Sequence, residues 1–391
     1  MKILLVRLRL IGDVVFTTPL LRALRRHYPQ AHLTYVVEPA AAPVVLGNPH
    51  LNEVIVAPKR SGVARLVGDV ALARRLRRER FDIAIDLHGG PRSAWLTLAS
   101  RAPTRIGYRI AGRSWMYTHV VPRAADLLPR HSVANQWDLL TPLGIAACEP
   151  ARDAMEMAAD PAAAARVDRR LADAGFGPSH RLIVVHVSAG NPFRRWPSGS
   201  FATLIVDLAR RDSARRFMIT SGPSEADAAR AVTQAALRAL GGAVPVVAHG
   251  AFEVGELRAL AARAALYIGG DSGPLHIAAT TQTPVVALFG PTLPERSMPW
   301  RDPRWFAEAI DVGVLPCRPC HQRTCVPGDF RCLTGITSDR VVAAAERALA
   351  VGATRDIVEV GADRNTVDVG ADLAGAVGEG GQVGPKRARH A

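Results

Sequence analysis

The densest run of chemistry-bearing residues is Gly269-Gly270-Asp271-Ser272-Gly273-Pro274-Leu275-His276. An apolar stretch at 265–268 precedes it and a helical pattern at 273–280 follows, so the run joins a strand to a helix. Gly270 and Gly273 permit close approach of a ligand to the main chain, and Ser272 with the amides near Gly273 can hold a phosphate. His276 falls on the first turn of the helix. A second run, Ser188-Ala189-Gly190 then Arg194-Arg195-Trp196-Pro197, follows the apolar stretch 182–187. Arg194 or Arg195 can pair with a diphosphate, the alternative being a basic pair at the surface. A third, Ile11-Gly12-Asp13, sits between the first apolar stretch and the first helix. It puts a carboxylate at the carboxyl end of a strand, where open α/β sheets gather ligands; the competing reading of Asp13 is a helix N-cap.

These loops require a particular scaffold. Strand patterns at 1–6, 32–37, 53–56 and 82–87 alternate with a helix at 14–27, marked by Val14, Thr17, Leu21 and Leu24, and a basic helix at 70–80 with Asp69 as its N-cap. The same grammar restarts at 182, with strands at 182–187, 216–220, 245–248, 265–268 and 284–289 between helices at 200–211, 225–240, 254–264 and 273–280. Such alternation predicts two doubly wound parallel sheets facing a cleft. The expected domains are residues 1–165 and 166–354, followed by a disordered tail at 355–391 rich in Gly, Ala, Val and Asp.

Composition agrees with parallel sheets covered by helices: 48% of the 391 residues are hydrophobic and only 5% aromatic, so Leu, Val, Ile and Ala must fill the cores. A net charge of +14 points to an anionic partner: nucleic acid, an acidic substrate or an anionic membrane surface. No helix-turn-helix, zinc-finger or RNA-recognition signature is present, so nucleic acid is not expected. Arg7, Arg9 and Asp13 interrupt the N-terminal apolar run, and prolines and glycines break the uncharged stretch 272–294, so neither a signal peptide nor a membrane span is expected. The expected location is cytoplasmic, with at most peripheral contact at the inner face of the membrane. Cys317, Cys320, Cys325 and Cys332 are spaced x2, x4 and x6. Reduced structural thiols come first, a structural metal second and a redox bridge third. Cys148 reads as a buried thiol.

The order and spacing of six blocks resemble glycosyltransferase family 9, typified by bacterial lipopolysaccharide heptosyltransferases. The blocks are Arg7-x4-Gly12-Asp13-Val14-Val15-x-Thr17-x-Pro19, the strand at 82–87, Arg194-Arg195-Trp196-Pro197, Asp271-Ser272-Gly273-Pro274-Leu275-His276, Leu288-Phe289-Gly290-Pro291-Thr292 and the cysteine-rich 316–332. The resemblance covers residues 1–349. It implies the GT-B fold, two Rossmann-like domains with the donor held mainly by the second, and inversion at the anomeric carbon with no metal and no cofactor. By position, Asp13 resembles the general base and Arg194 stands where the family often has a phosphate-binding Lys. Ser188, Asp271, Ser272, Gly273 and His276 correspond to donor-site residues, Glu225 to the acid on the nucleotide ribose, and Phe252 to a ring against the base. Gly12 and Thr17 fall on the acceptor side. The implied donor is ADP-heptose and the implied acceptor an anionic glycolipid, the lipopolysaccharide core. Ser272 replaces the Thr of many members, and Arg9-Leu10-Ile11 stands where some heptosyltransferases have small hydroxyl residues. Transfer of another sugar to another polysaccharide or lipid-linked acceptor, and nucleotide-sugar binding or isomerisation without transfer, are the alternatives.

Overall fold

In the computed structural model residues 1–367 are described, apart from 59–60, 125–127, 242–245 and 249–251. Six parallel strands form the first sheet: β1 (Lys2–Val6), β2 (His32–Val37), β3 (Glu53–Val56), β4 (Ile83–Asp86), β5 (Thr104–Tyr108) and β6 (His119–Val121), in the order β3-β2-β1-β4-β5-β6. Six more form the second: β7 (Arg181–His186), β8 (Arg215–Thr220), β9 (Val246–Ala248), β10 (Leu266–Gly270), β11 (Val285–Leu288) and β12 (Ala307–Ile310), in the order β12-β11-β10-β7-β8-β9. The two windings are the same. Each sheet reverses beside its first strand, between β1 and β4 and between β7 and β10. One doubly wound parallel sheet in each unit is the architecture the sequence led us to expect.

Period-2 alternation sends neighbouring residues to opposite faces, and both faces are covered. Ile3 and Leu5 enter one core while Leu4 and Val6 enter another. Ile183 and Val185 are separated from Leu182 and Val184 in the same way.

Three differences from the sequence reading have clear causes. The helix expected at 14–27 is broken into Ile11–Val15 and Thr18–His27. Pro19 has no N–H to donate to Val15, and the hydroxyls of Thr17 and Thr18 instead donate to the carbonyls of Val14 (2.7 Å) and Val15 (2.8 Å). The basic helix begins at Gly62, not residue 70, and Asp69 is no cap: its carboxylate lies inside the helix, 2.7 Å from Arg92. The last helix, Ser338–Val367, runs past residue 355, where the tail was expected to start; it packs on the second unit through Val341, Val342, Ala345 and Ala348, and 368–391 fall outside the described residues. Among the described residues no helix is long and apolar enough to cross a membrane.

Met155 and Met157 pack into the first core and Val167 and Leu171 into the second unit, so the chain passes between units at 158–160. The helix Pro161–Asp173 is tied to the helix Val254–Arg263 by Arg166–Glu256 (2.7 Å). The units meet directly: Ile277 and Ala279 join the first core, and the rings of Phe16 and His276 lie 4.3 Å apart.

Candidate active site

Parallel register brings the chemical loops together. Val6 of β1 pairs with Asp86 of β4, so the loop after β1 lies beside Leu87-His88. Gly269 of β10 pairs with His186 of β7, which sets the 271–273 turn beside the segment leading to Arg194. Both sites are the crevice at a reversal point, where carboxyl ends of strands leave room for a ligand.

On the first side Asp13 sits on the short helix Ile11–Val15. Its Oδ2 lies 2.6 Å from Arg7 Nη2, and its side chain keeps 37% of its exposure. Arg7 is anchored by Nη1 donating to Leu87 O (2.6 Å). The main-chain N–H of Leu10 donates weakly to the same carboxylate (3.4 Å). His88 stands near this group; burial first, then the positive charge of Arg7, pushes its imidazole down to about 4, so it is neutral at physiological pH. Asp86, below it, accepts from the amides of His88 and Gly89 and from Ser93 and Tyr117, which fixes the loop.

Gly12 is the point of contact with the second side. A Cβ there would stand 2.9 Å from His276 Cδ2 and 3.5 Å from Gly273 Cα. A side chain there would require the His276 ring to shift, so the glycine expected on the acceptor side also lets the two units approach closely.

On the second side Asp271 is buried. Its Oδ2 takes Arg194 Nη1 (3.0 Å) and the Thr292 hydroxyl (2.7 Å), and its Oδ1 faces His276 Nε2 (3.5 Å). Burial raises its affinity for a proton, but the His276 hydrogen bond and the Arg194 charge outweigh it and hold the carboxyl below its usual range. Arg194 donates from Nε to Gln322 Oε1 (2.6 Å) and from Nη1 to Asp271, which leaves Nη2 without a partner among the described residues. Ser272 Oγ and His276 Nδ1 are buried with no hydrogen-bond partner among the described residues. Orphaned polar atoms are costly, and their clustering here marks a place built for a polar ligand.

The structure separates the two arginines. Arg195 is held by Glu225 (2.7 Å) and the carbonyl of Ala189 (2.9 Å), whereas Arg194 is held by Asp271 and Gln322 beside the 271–273 turn. Glu225 is buried; its Oε1 accepts from Arg195 and Ser224, and Oε2 has no partner among the described residues.

Three expected site residues are placed otherwise. Thr17 is fully buried between Val14 O and the Tyr35 hydroxyl (2.8 Å), because the broken helix turns it inward. Ser188 is buried and ties two loops, accepting from Gly222 N (2.8 Å) and bonding His186 Nε2 (3.1 Å); it supports the site from beneath. Phe252 lies in the second unit's core with the Arg170 guanidinium 3.6 Å from its ring centre. Sequence reasoning gave no role to Arg7, His88, Thr292 or Gln322. Arg7, Thr292 and Gln322 all lay within recognisable blocks, but Gln322 is more than a hundred residues from Arg194 and its block was read only for its cysteines.

Cys317, Cys320, Cys325 and Cys332 all line one cavity of about 40 Å³, together with Phe193 and Phe330. All are free thiols, and burial raises Cys332 further from ionisation. Among the described residues no group of three or more His, Cys, Asp or Glu side chains is arranged to hold a metal ion. Cys148 is half-buried against the first core.

The model of glycosyltransferase family 9 (heptosyltransferase) matches residues 70–329. Lipopolysaccharide heptosyltransferase 3 of Escherichia coli is 28% identical over 354 residues, covering 89% of this chain and 99% of that protein. Among solved structures, a family 9 glycosyl transferase from Veillonella parvula superposes with a TM-score of 0.78 at 24% identity, covering 89% and 97% of the two chains. The E. coli ADP-heptose lipopolysaccharide heptosyltransferase II does so with a TM-score of 0.69 at 22% identity, covering 90% and 99%. A carboxylate and an arginine-backed polar pocket at paired reversal points, on a chain that the family's model matches over most of its length, identify this protein as a member of glycosyltransferase family 9 and a glycosyltransferase.

Proposed function

We propose that the chain transfers heptose from ADP-heptose to a sugar hydroxyl of the lipopolysaccharide core, with inversion and without a metal ion. The observation that carries this reading is an opposition across one seam. Asp13, partly exposed and tethered by Arg7, follows Gly12, which meets Gly273 and His276 of the second unit, where Ser272 Oγ, His276 Nδ1 and Arg194 Nη2 lack partners among the described residues. The names of the similar enzymes supply the sugar and nucleotide.

Asp13 takes the proton of the acceptor hydroxyl as its oxygen attacks the anomeric carbon from the face opposite the diphosphate. ADP departs with its developing charge met by Arg194 and Ser272, which are fixed before reaction and need no reorganisation. Asp271 and Gln322 hold the guanidinium in place, and Glu225 Oε2 receives a ribose hydroxyl. The first unit thus handles the acceptor and the second the donor. The acceptor is an anionic glycolipid, and the chain's +14 charge favours its approach at a membrane surface.

Asp13→Asn tests the reading, because it keeps shape and removes basicity. With saturating donor and acceptor, kcat should fall about a hundredfold or more, within the range of general-base catalysis, while ADP binding and Tm stay at wild-type values. A kcat within a few-fold of wild type would make Asp13 a helix-capping group only.

A further inference from the structure

We propose that the first half of the helix Gly62–Glu79 docks on an anionic lipid bilayer. Val63, Leu66, Val67 and Val70 are exposed to 76%, 66%, 62% and 40%. Their steps of three and four residues put them on one face of the helix. That face is not the one holding the helix to the protein, which consists of Leu72, Ala73, Leu76 and the Arg92-bound Asp69. Four large aliphatic side chains on consecutive turns in water call for a partner.

Charge identifies it. The same face continues toward the C-terminus as Arg74, Arg77 and Arg78, all exposed and in no ion pair with a described residue. The helix's two acids are already neutralised, Asp69 by Arg92 (2.7 Å) and Glu79 by Lys2 (2.9 Å). An apolar half followed by an arginine half on one face matches a bilayer, with acyl chains for the first and anionic headgroups for the second. A second copy of the chain would offer these arginines no acid from the same helix, since both of its acids are already paired. The helix leaves the carboxyl end of β3, the edge of the first sheet that also carries Asp13. Leu10 and Trp115, exposed to 67% and 68%, lie in loops leaving the same edge after β1 and β5. Docked there, the protein would hold its acceptor side toward a lipid-anchored substrate. That last point rests on the proposed function, whereas docking itself is measured without donor or acceptor.

The experiment is co-sedimentation of the full chain with vesicles of phosphatidylglycerol and phosphatidylcholine, and with vesicles of phosphatidylcholine alone. Wild type should bind the anionic vesicles, less so as salt rises and screening tightens. Leu66→Ser with Val67→Ser should weaken binding about tenfold or more. Arg74→Glu with Arg77→Glu should weaken it by a similar factor at low salt, and this pair decides the matter if the serine pair lowers Tm. Both variants should keep wild-type transfer to a water-soluble, delipidated acceptor. Wild type that stays in solution with anionic vesicles at low salt, variants that bind as wild type does, or a serine variant that converts a dimer to a monomer would each overturn the proposal. Vesicle binding with no transfer under any condition would uphold docking and refute the function.

Discussion

The two sheets have the same winding and each carries an aspartate in the connection after a central strand, yet the two carboxylates live differently. Asp13 keeps 37% of its side-chain exposure and has one strong partner, Arg7. Asp271 keeps 4% and is held by Arg194, Thr292 and His276. A carboxylate that must accept a proton needs free lone pairs and access; one that must orient a cation needs burial and saturation. The scaffold supplies the same place twice, and the shell around the carboxylate decides whether it does chemistry or positions a group that does.

Exchanging carboxylate for amide at the two positions should break this comparison most sharply. Asp13→Asn should cost about 2.7 kcal/mol of barrier, the hundredfold above, with Tm unchanged. Asp271→Asn should lower Tm and weaken donor binding together, because it leaves Arg194 and His276 without their anion in a buried setting. A normal Tm for Asp271→Asn, measured by calorimetry, would remove the distinction between the two.

A smaller effect separates the neighbouring arginines. Arg194→Ala should lower kcat by about tenfold or more, since its contribution grows as the diphosphate leaves. Arg195→Ala should mainly raise the KM for donor, because it frees the Glu225 carboxylate from its partner. Equal kcat losses in steady-state kinetics would mean that both arginines touch the phosphates.

Acid sensitivity is smaller again. Burial holds His186 in the second sheet, His131 at the seam and His88 beside Asp13 at about 4, below the ordinary 6.5. Their folded pKa values are depressed, so the stability they confer is complete above 6.5 and lost as pH falls through 6.5 toward 4, where the unfolded chain takes up protons the folded one refuses. The urea midpoint should therefore drop between pH 7.5 and 4.5, and a flat midpoint would show these imidazoles to be hydrated. The smallest effect expected is none: EDTA should leave transfer rate unchanged, and inactivation reversed by Mg²⁺ or Mn²⁺ would overturn the metal-free displacement.

Local chemistry made much of this protein legible in its sequence. Apolar runs of strand length alternating with helical spacing reported two parallel sheets, because a strand buried on both faces has few other ways to look. The Gly-Asp and Gly-Gly-Asp-Ser-Gly runs marked two strand-to-helix joints, and the fold sets each beside the reversal point of its sheet. Tertiary structure decided what those signals could not carry. Register and packing put Arg195 on Glu225 and Arg194 on Asp271, although the two are adjacent and chemically alike. A proline and two hydroxyls turned Thr17 into the core. Gln322, far along the chain, became the partner of Arg194. Residue type and spacing fix what a segment can do; which partner saturates each polar group depends on contacts between distant segments, and those exist only once the chain has folded.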